Sequence, residues 1–425
     1  MGRTVGRTVA LTTIGGGRQR AGQALQALSA GVLAPARDVG LYVHFPFCSV
    51  HCPYCDFAVD ARADIPHERY ADAVIAELLA RAPWFRREGD GTPRLASIYF
   101  GGGTPGLWNV AALARVIDAG RSAFSADAAL EITVEANPGE VDEPRVAAWR
   151  QAGVNRVSLG LQSLDDGALV ALGRNHDAAA GPAAVRAARA QGIDNLSVDL
   201  MFGLPGQSLD DWRRSLDGVL ALAPEHVSAY ALTIERGTPF GARARKGELV
   251  VPQGEPVAAM QELAHTQLAA AGLAQYEVSS YARPCRRAIH NALYWSGAPY
   301  LGVGASAASF RPLADGSGWR FSNPRATETY LRAVEAGGGV VAPAQSERRQ
   351  PADLENEAVW LALRTADGIA RGAHATLFGA DPVVGREAAV AACVAAGWLE
   401  CTPQILKPTP AGMLFADEVA TRLWR

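Results

Sequence analysis

The chain runs to 425 residues, carries a formal net charge of −3 and is 49% hydrophobic. That length suits one large domain with a smaller one, and the apolar content suffices for a packed core, which excludes a disordered chain. A charge so near zero gives no electrostatic footing for a nucleic-acid partner, and no apolar run reaches the roughly 18 residues of a membrane span.

Residues 1–38 stand apart first. Positions 1–37 hold five Arg and no acid, with much Ala, Gly and Thr. Such a leader can be an organelle transit peptide. Its composition matches the Ala/Gly/Arg-rich remainder of the chain, so a disordered leader is the expectation. From residue 39 a regular alternation begins. Short β-prone runs at 41–47, 97–100, 131–135, 156–161, 195–201 and 226–232 are separated by helical stretches near 66–83, 108–121, 142–151, 165–190 and 208–221, with another at 254–271. This spacing predicts an α/β fold over 39–310, a full or partial (βα)6-type barrel, with an open doubly wound sheet as the alternative. The Gly/Pro-rich stretch 311–350 reads as a linker or barrel edge. Residues 351–425 restart a helical pattern around a β-prone run at 398–403, which predicts a small winged-helix-like domain packed on the barrel.

Unusual residues gather at the carboxyl ends of the β-prone runs. Three cysteines follow the first, Gly101-Gly102-Gly103-Thr104-Pro105 the second, and Gly203-Leu204-Pro205-Gly206 the fifth. Glu135-Ala136-Asn137-Pro138 ends the third and Gln162 the fourth. In barrels that rim carries the active site. Six cysteines in so long a chain do not make a secreted disulfide scaffold, and a cluster of three reads as metal or redox ligands in a reducing, cytoplasmic setting.

Cys48-x3-Cys52-x2-Cys55 offers three thiolates. Three irons of a [4Fe–4S] cubane would be held and the fourth left open, as a catalytic zinc keeps one position open. S-adenosylmethionine (SAM) fits that position through its amino and carboxylate groups, and an electron from the reduced cluster would break a C–S bond to give a 5′-deoxyadenosyl radical. Structural zinc with His44 or His51 as fourth ligand is the alternative, although no second CxxC is present. Gly101, Gly102 and Gly103 let backbone amides approach a ligand, and Thr104 adds a hydroxyl. Glu135 suits ribose hydroxyls or positive charge, Arg174 suits a carboxylate, and Gln162 and Asp199 share the rim.

The segment Tyr42-Val43-His44-Phe45-Pro46-Phe47-Cys48, continued by Cys52-Pro53-Tyr54-Cys55-Asp56-Phe57, resembles the radical SAM superfamily, and more narrowly its HemN/HemW branch. The motifs at 101–105, 135–138, 160–163, 173–176, 199–206 and 230–235 fit that branch in order, over about residues 40–310. The resemblance implies a [4Fe–4S] cluster on Cys48, Cys52 and Cys55. It also implies SAM contacts from Tyr42, Tyr54, Phe57, Gly102, Gly103, Thr104, Glu135, Gln162, Arg174 and Asp199.

Two functions compete within the branch: oxygen-independent coproporphyrinogen III dehydrogenase, which turns propionates into vinyls, and a haem chaperone that delivers haem to acceptor proteins. The dehydrogenase carries a fourth cysteine where this chain has Phe57, and His290-Asn291-Ala292-Leu293-Tyr294-Trp295 matches the chaperone group. Tyr276-Glu277-Val278-Ser279 fits that group too. The chaperone is therefore the expectation, with His290 as leading iron ligand and Asn291, Tyr294 and Trp295 as further haem contacts. Cys285 lies close by as a thiolate candidate or a buried small hydrophobe. One departure stands out: the branch commonly places Ala-His where this chain reads Ala307-Ala308. A radical SAM enzyme acting on RNA is a third reading, which the charge opposes.

Overall fold

A computed structural model describes residues 25, 26, 28, 38–86 and 91–425. All six expected runs are strands: β1 Val39–Phe45, β2 Leu95–Gly102, β3 Glu131–Ala136, β4 Arg156–Gln162, β5 Leu196–Phe202 and β6 His226–Ala231. They pair in parallel and in chain order. β7 (Ser280–Ala282) runs antiparallel beside β6, and β8 (Tyr300–Val303) lies parallel on the other side of β1. Three antiparallel strands then extend the sheet: β9 Ala308–Pro312, β10 Gly318–Ser322 and β11 Gln345–Arg349. The sheet has 12 strands, with β11 at one edge and the short strand Ala274–Gln275 at the other. Among the described residues those edges do not pair, so the barrel is partial, one of the two forms the alternation allows.

Side-chain alternation explains the layers. Val39, Leu41, Val43 and Phe45 of β1 are fully buried in the shell beneath the helices. The intervening Gly40, Tyr42 and His44 face the lumen, which receives every second residue of each strand. That lumen is polar: Tyr99, Glu135, Arg156, Asp199 and His226 all fall on it. Crossover helices α1 His67–Arg81, α2 Val110–Ala123, α3 Glu143–Ala152, α4 Ala180–Ala190, α5 Leu209–Ala221 and α6 Glu255–Ala270 cover the outside. The starts of α2, α3 and α5 are capped by side chains: Asn109 accepts from the N–H groups of Ala111 and Ala112, Asp142 from that of Arg145, and Ser208 and Asp211 cap each other's backbone. A short helix, α7 (Ile289–Trp295), connects β7 to β8.

The single helix expected over 165–190 is two, Asp166–Ala171 and α4. Gly173 breaks it at φ +66°, in the left-handed region that glycine enters without strain, and the chain turns there to bring Arg174 to the rim. The stretch 311–350 is no linker. It completes β9, carries β10 and β11, and contains helix α8 (Thr327–Gly337), so it belongs to the barrel edge. Of the leader expected to be disordered, residues 25, 26 and 28 are described and helical. Leu28 is buried, and its carbonyl accepts from Arg311 Nη1 at 3.2 Å. The rest of the leader lies outside the described residues.

Helix α9 (Pro351–Ala362) opens the C-terminal region. From there a separate core forms around Val359, Leu363, Val390, Cys393, Leu406 and Val419, with a three-stranded sheet of Ile369–Ala370, Leu399–Cys401 and Ile405–Pro408. Helices plus a small antiparallel sheet agree with the winged-helix-like domain expected there. No helix among the described residues is long and apolar enough to cross a membrane.

Candidate functional site

Loops at the carboxyl ends of β1–β6 enclose a cavity of about 470 Å³. Its wall brings together nearly all the rim residues singled out from the sequence: Cys48, Cys52, Cys55, Tyr54 and Phe57 from the first loop, Gly102, Gly103 and Thr104 from the second. Glu135, Gln162, Arg174 and Asp199 complete it. Tyr42 is the exception. Its ring packs beside both Tyr99 and His290, at centroid distances of 6.3 and 6.1 Å, and it lines a different cavity.

The cysteine loop is pinned from several sides. Thr104 Oγ1 lies 3.5 Å from Cys48 Sγ, and Arg174 Nη1 lies 3.7 Å from Cys52 Sγ. Burial pushes the Cys48 thiol up to about 11 and raises Cys55 as well, so these groups stay protonated until a metal replaces the proton. Of the two histidines proposed as zinc ligands, His44 has both ring nitrogens engaged and His51 only one. His44 bonds Tyr42 Oη through Nδ1 at 3.0 Å and the Ala58 carbonyl through Nε2 at 2.9 Å, while His51 Nε2 bonds the Cys55 carbonyl. Among the described residues no three His, Cys, Asp or Glu side chains converge on a point where one ion could sit. Three thiols around one cavity, with His44 engaged at both nitrogens, fit a cluster with an open iron.

Opposite the cysteines lies a set of buried polar groups. Arg174 Nη2 donates to Asn137 Oδ1 and, at 3.1 Å, to the Gly160 carbonyl, while its Nε is buried without a partner. An orphaned guanidinium donor in a cavity wall is a place for a ligand carboxylate. Glu135 accepts from Tyr99 Oη at 2.6 Å, yet complete burial pushes its carboxyl up to about 7, with nearby Asp199 adding to the rise. Burial also raises Asp199, which Ser158 Oγ holds at 3.1 Å. Two buried acids facing a cavity make it a site for a cation. Gln162 sits at φ +64°, where a non-glycine residue is strained by about 1–2 kcal/mol. Such strain concentrates at functional sites. The donor set thus fits a cationic amino-acid ligand beside an iron–sulfur cluster.

Sequence reasoning gave Asn137 no role of its own. Its side chain bridges Thr104 Oγ1 at 3.2 Å, Glu140 and Arg174, and so ties three rim loops together. Its place ahead of Pro138, in a cap pairing with Glu140, is the local signal that could have found it.

His290 is a correction. It is buried to 1% exposure on the first turn of α7, which plugs the amino end of the barrel, away from the rim. Nδ1 lies 2.8 Å from Ser97 Oγ and Nε2 lies 2.9 Å from Tyr294 Oη, so neither nitrogen is available to a haem iron. The ring stacks on Tyr99 at 5.0 Å, and burial lowers its pKa to about 3, which keeps it neutral. The Glu131 carboxylate caps the helix from below, accepting from the N–H groups of Ile289 and His290 at 3.1 Å. His226 repeats the arrangement, bridging Ser197 Oγ and Tyr276 Oη at 2.8 and 2.9 Å. Both histidines lock the lumen. Asn291 and Trp295 are half-buried and line neither cavity, whereas Tyr294 lines the second. Cys285 is exposed rather than buried.

The Radical SAM superfamily matches residues 42–218. Heme chaperone HemW of Mycobacterium tuberculosis is 35% identical over 393 residues, 92% of this chain and 95% of that one. Heme chaperone HemW of Escherichia coli is 35% identical over 295 residues, 69% of this chain and 76% of its own. The mitochondrial Radical S-adenosyl methionine domain-containing protein 1 of Bos taurus is 37% identical over 342 residues, 79% of this chain and 75% of that one. Among solved structures, coproporphyrinogen III oxidase (HemN) of Escherichia coli superposes with a TM-score of 0.80 over 98% of this chain and 95% of its own, at 21% identity. At that identity the likeness shows the fold. With three cysteines on one cavity, an orphaned arginine donor opposite them and relatives alike over nearly the whole length, this chain belongs to the radical SAM superfamily, in its HemN/HemW branch, whose members hold a [4Fe–4S] cluster and SAM.

Proposed function

We propose that this protein is a haem chaperone that holds a SAM-coordinating [4Fe–4S] cluster, binds haem and passes it to acceptor proteins. The observation that carries the reading is Phe57. It replaces the fourth cysteine of the dehydrogenase, lies 66% exposed on the cluster loop and lines the cavity beside Cys55. The likeness to proteins named Heme chaperone HemW supports the same choice.

Within that reading Cys48, Cys52 and Cys55 hold the cluster, which when bound supplies electrons toward the SAM sulfonium. Arg174 offers its free Nε–H to the SAM carboxylate and keeps Asn137 and Cys52 in place. Glu135 and Asp199 balance the sulfonium charge, Gly102 and Gly103 present their backbone to the SAM amino group, and Gln162 adds its amide on the same rim. Tyr54 closes one side, with its hydroxyl 3.5 Å from Arg174 Nη1.

The deciding experiment supplies the anaerobic, cluster-reconstituted protein with SAM, a reductant and coproporphyrinogen III, and titrates parallel aliquots with haem. Saturable haem binding without protoporphyrinogen formation is expected. Decarboxylation in step with SAM cleavage would replace the chaperone reading with the dehydrogenase.

A further inference from the structure

A second cavity, of about 930 Å³, opens on the far side of Tyr42 and His44, between β8–β10 and helix α9 of the C-terminal domain. We propose that this cavity is where haem sits, with the Tyr300 hydroxyl as the iron ligand; the proposal rests on the haem-binding reading above.

Size comes first. Pockets that bury a small organic ligand run to about 300–1,000 Å³, and this one stands at the upper end, twice as large as the rim cavity. Its surfaces suit a flat apolar ring. Tyr294, Tyr300, Phe310 and Phe378 line it together with Leu354 and Leu361. Tyr294 and Tyr300 meet edge to face at 4.6 Å, and Tyr300 stands 6.3 Å from Phe310, so an aromatic wall is already built.

Iron needs a donor, and the candidates on this wall narrow quickly. His44 spends both ring nitrogens on Tyr42 and Ala58. Tyr294 gives its hydroxyl to His290 at 2.9 Å. Burial raises the Tyr300 phenol, and the Arg320 guanidinium, which hydrogen-bonds it, works against that rise and favours the anion. Tyrosinate is an established haem ligand type. When ferric iron binds, an Fe–O bond forms at Tyr300, and the phenol proton leaves to bulk water with no change in oxidation state.

The motif around His290 then acquires a positioning role. His290 fixes Tyr294 through Nε2, and Tyr294 buttresses Tyr300 edge to face. The histidine shapes the pocket from behind. Arg320 and Arg425, the cations of the wall, already carry Glu357 and Glu355 at 2.9 and 2.8 Å. Pairing with haem propionates therefore adds little, and affinity must come from stacking and the iron–oxygen bond. Weak dependence on salt follows.

The test titrates ferric haem into the full-length, cluster-reconstituted protein and reads absorption and electron paramagnetic resonance. The native chain is expected to give a high-spin tyrosinate signature. Tyr300→Phe is expected to lose it and bind at least tenfold more weakly. Ala358→Trp, which fills the cavity from α9, should weaken binding as much with cluster content intact. Ala308→His, on the same wall, should convert the spectrum to a low-spin imidazole form. Haem binding unaltered in spectrum and affinity by Tyr300→Phe and Ala358→Trp would overturn the cavity assignment and leave the chaperone reading standing. No saturable haem binding by the native chain would remove both.

Discussion

Glu135 makes SAM binding a function of pH, and the structure sets the size of the effect. Its carboxyl titrates at about 7 because burial disfavours the charged form more than Tyr99 and the Gly102 N–H favour it. A folded value above the ordinary 4.5 means that the fold prefers the neutral acid. The resulting stability is complete below about 4.5 and is lost as pH rises through about 7, a span worth about 3 kcal/mol. A sulfonium cation prefers the opposite state, the carboxylate. At pH 6 about one molecule in eleven has Glu135 ionised and at pH 8 about ten in eleven, so an affinity that needs the anion rises about tenfold, or about 1.4 kcal/mol. Equilibrium dialysis of SAM against cluster-reconstituted protein at pH 6, 7 and 8, at constant ionic strength, reads this directly. Glu135→Gln supplies the control, because it removes this titration and leaves any due to SAM itself. A native profile as flat as that of the variant, or an equal slope in both, would refute the electrostatic role of Glu135.

Replacing Cys48, Cys52 and Cys55 together with Ala should remove the brown chromophore and about four irons per chain; retention of a full cluster would sink the ligand assignment. Arg174→Lys keeps the charge but loses the planar fork across Asn137 and Gly160, and SAM affinity should fall about tenfold by calorimetry. Gln162→Gly relieves the left-handed backbone and should raise thermal stability by up to about 1 kcal/mol while weakening SAM, a combination that purely structural strain would not give. His290→Ala leaves the Ser97 and Tyr294 hydroxyls without their partner and should destabilise the haem-free protein by about 2–5 kcal/mol; an unchanged melting temperature would refute the structural role of its two hydrogen bonds.

Strand order and rim were legible because both follow from local signals. A β-prone run of fixed length, a helix-length spacer and a glycine turn at the carboxyl end repeat often enough to define a parallel sheet. Three places escaped this logic. The Ala-rich stretch 165–190 carries helix propensity throughout, yet the gain in bringing Arg174 to Asn137 and Cys52 outweighs two further turns of helix, and Gly173 permits the break. Residues 311–350 carry the Gly and Pro of a linker because hairpin turns need them too, and their strand pairing with β8 depends on partners that no local window contains. Gln162 offers nothing to a sequence reader that marks its positive φ.

Tyr42 and His290 lie away from the rim cavity for a different reason. Residue type names the chemistry a side chain can do, while its neighbours decide whether it remains free to do it. A histidine followed by Tyr and Trp reads as a haem ligand beside flat rings. Ser97 lies nearly two hundred residues earlier in the chain and occupies one nitrogen; Tyr294, one helical turn onward, occupies the other. The i, i+4 spacing of His290 and Tyr294 on a helix already permits that bond, since side chains so spaced share a face. What the spacing lacks is the depth of the helix in the barrel, which Glu131 sets by capping α7 at the amino end of β3. With that depth fixed, both nitrogens of the histidine are spent inside the barrel. The motif lines the second cavity through Tyr294, which meets Tyr300 edge to face while His290 holds its hydroxyl.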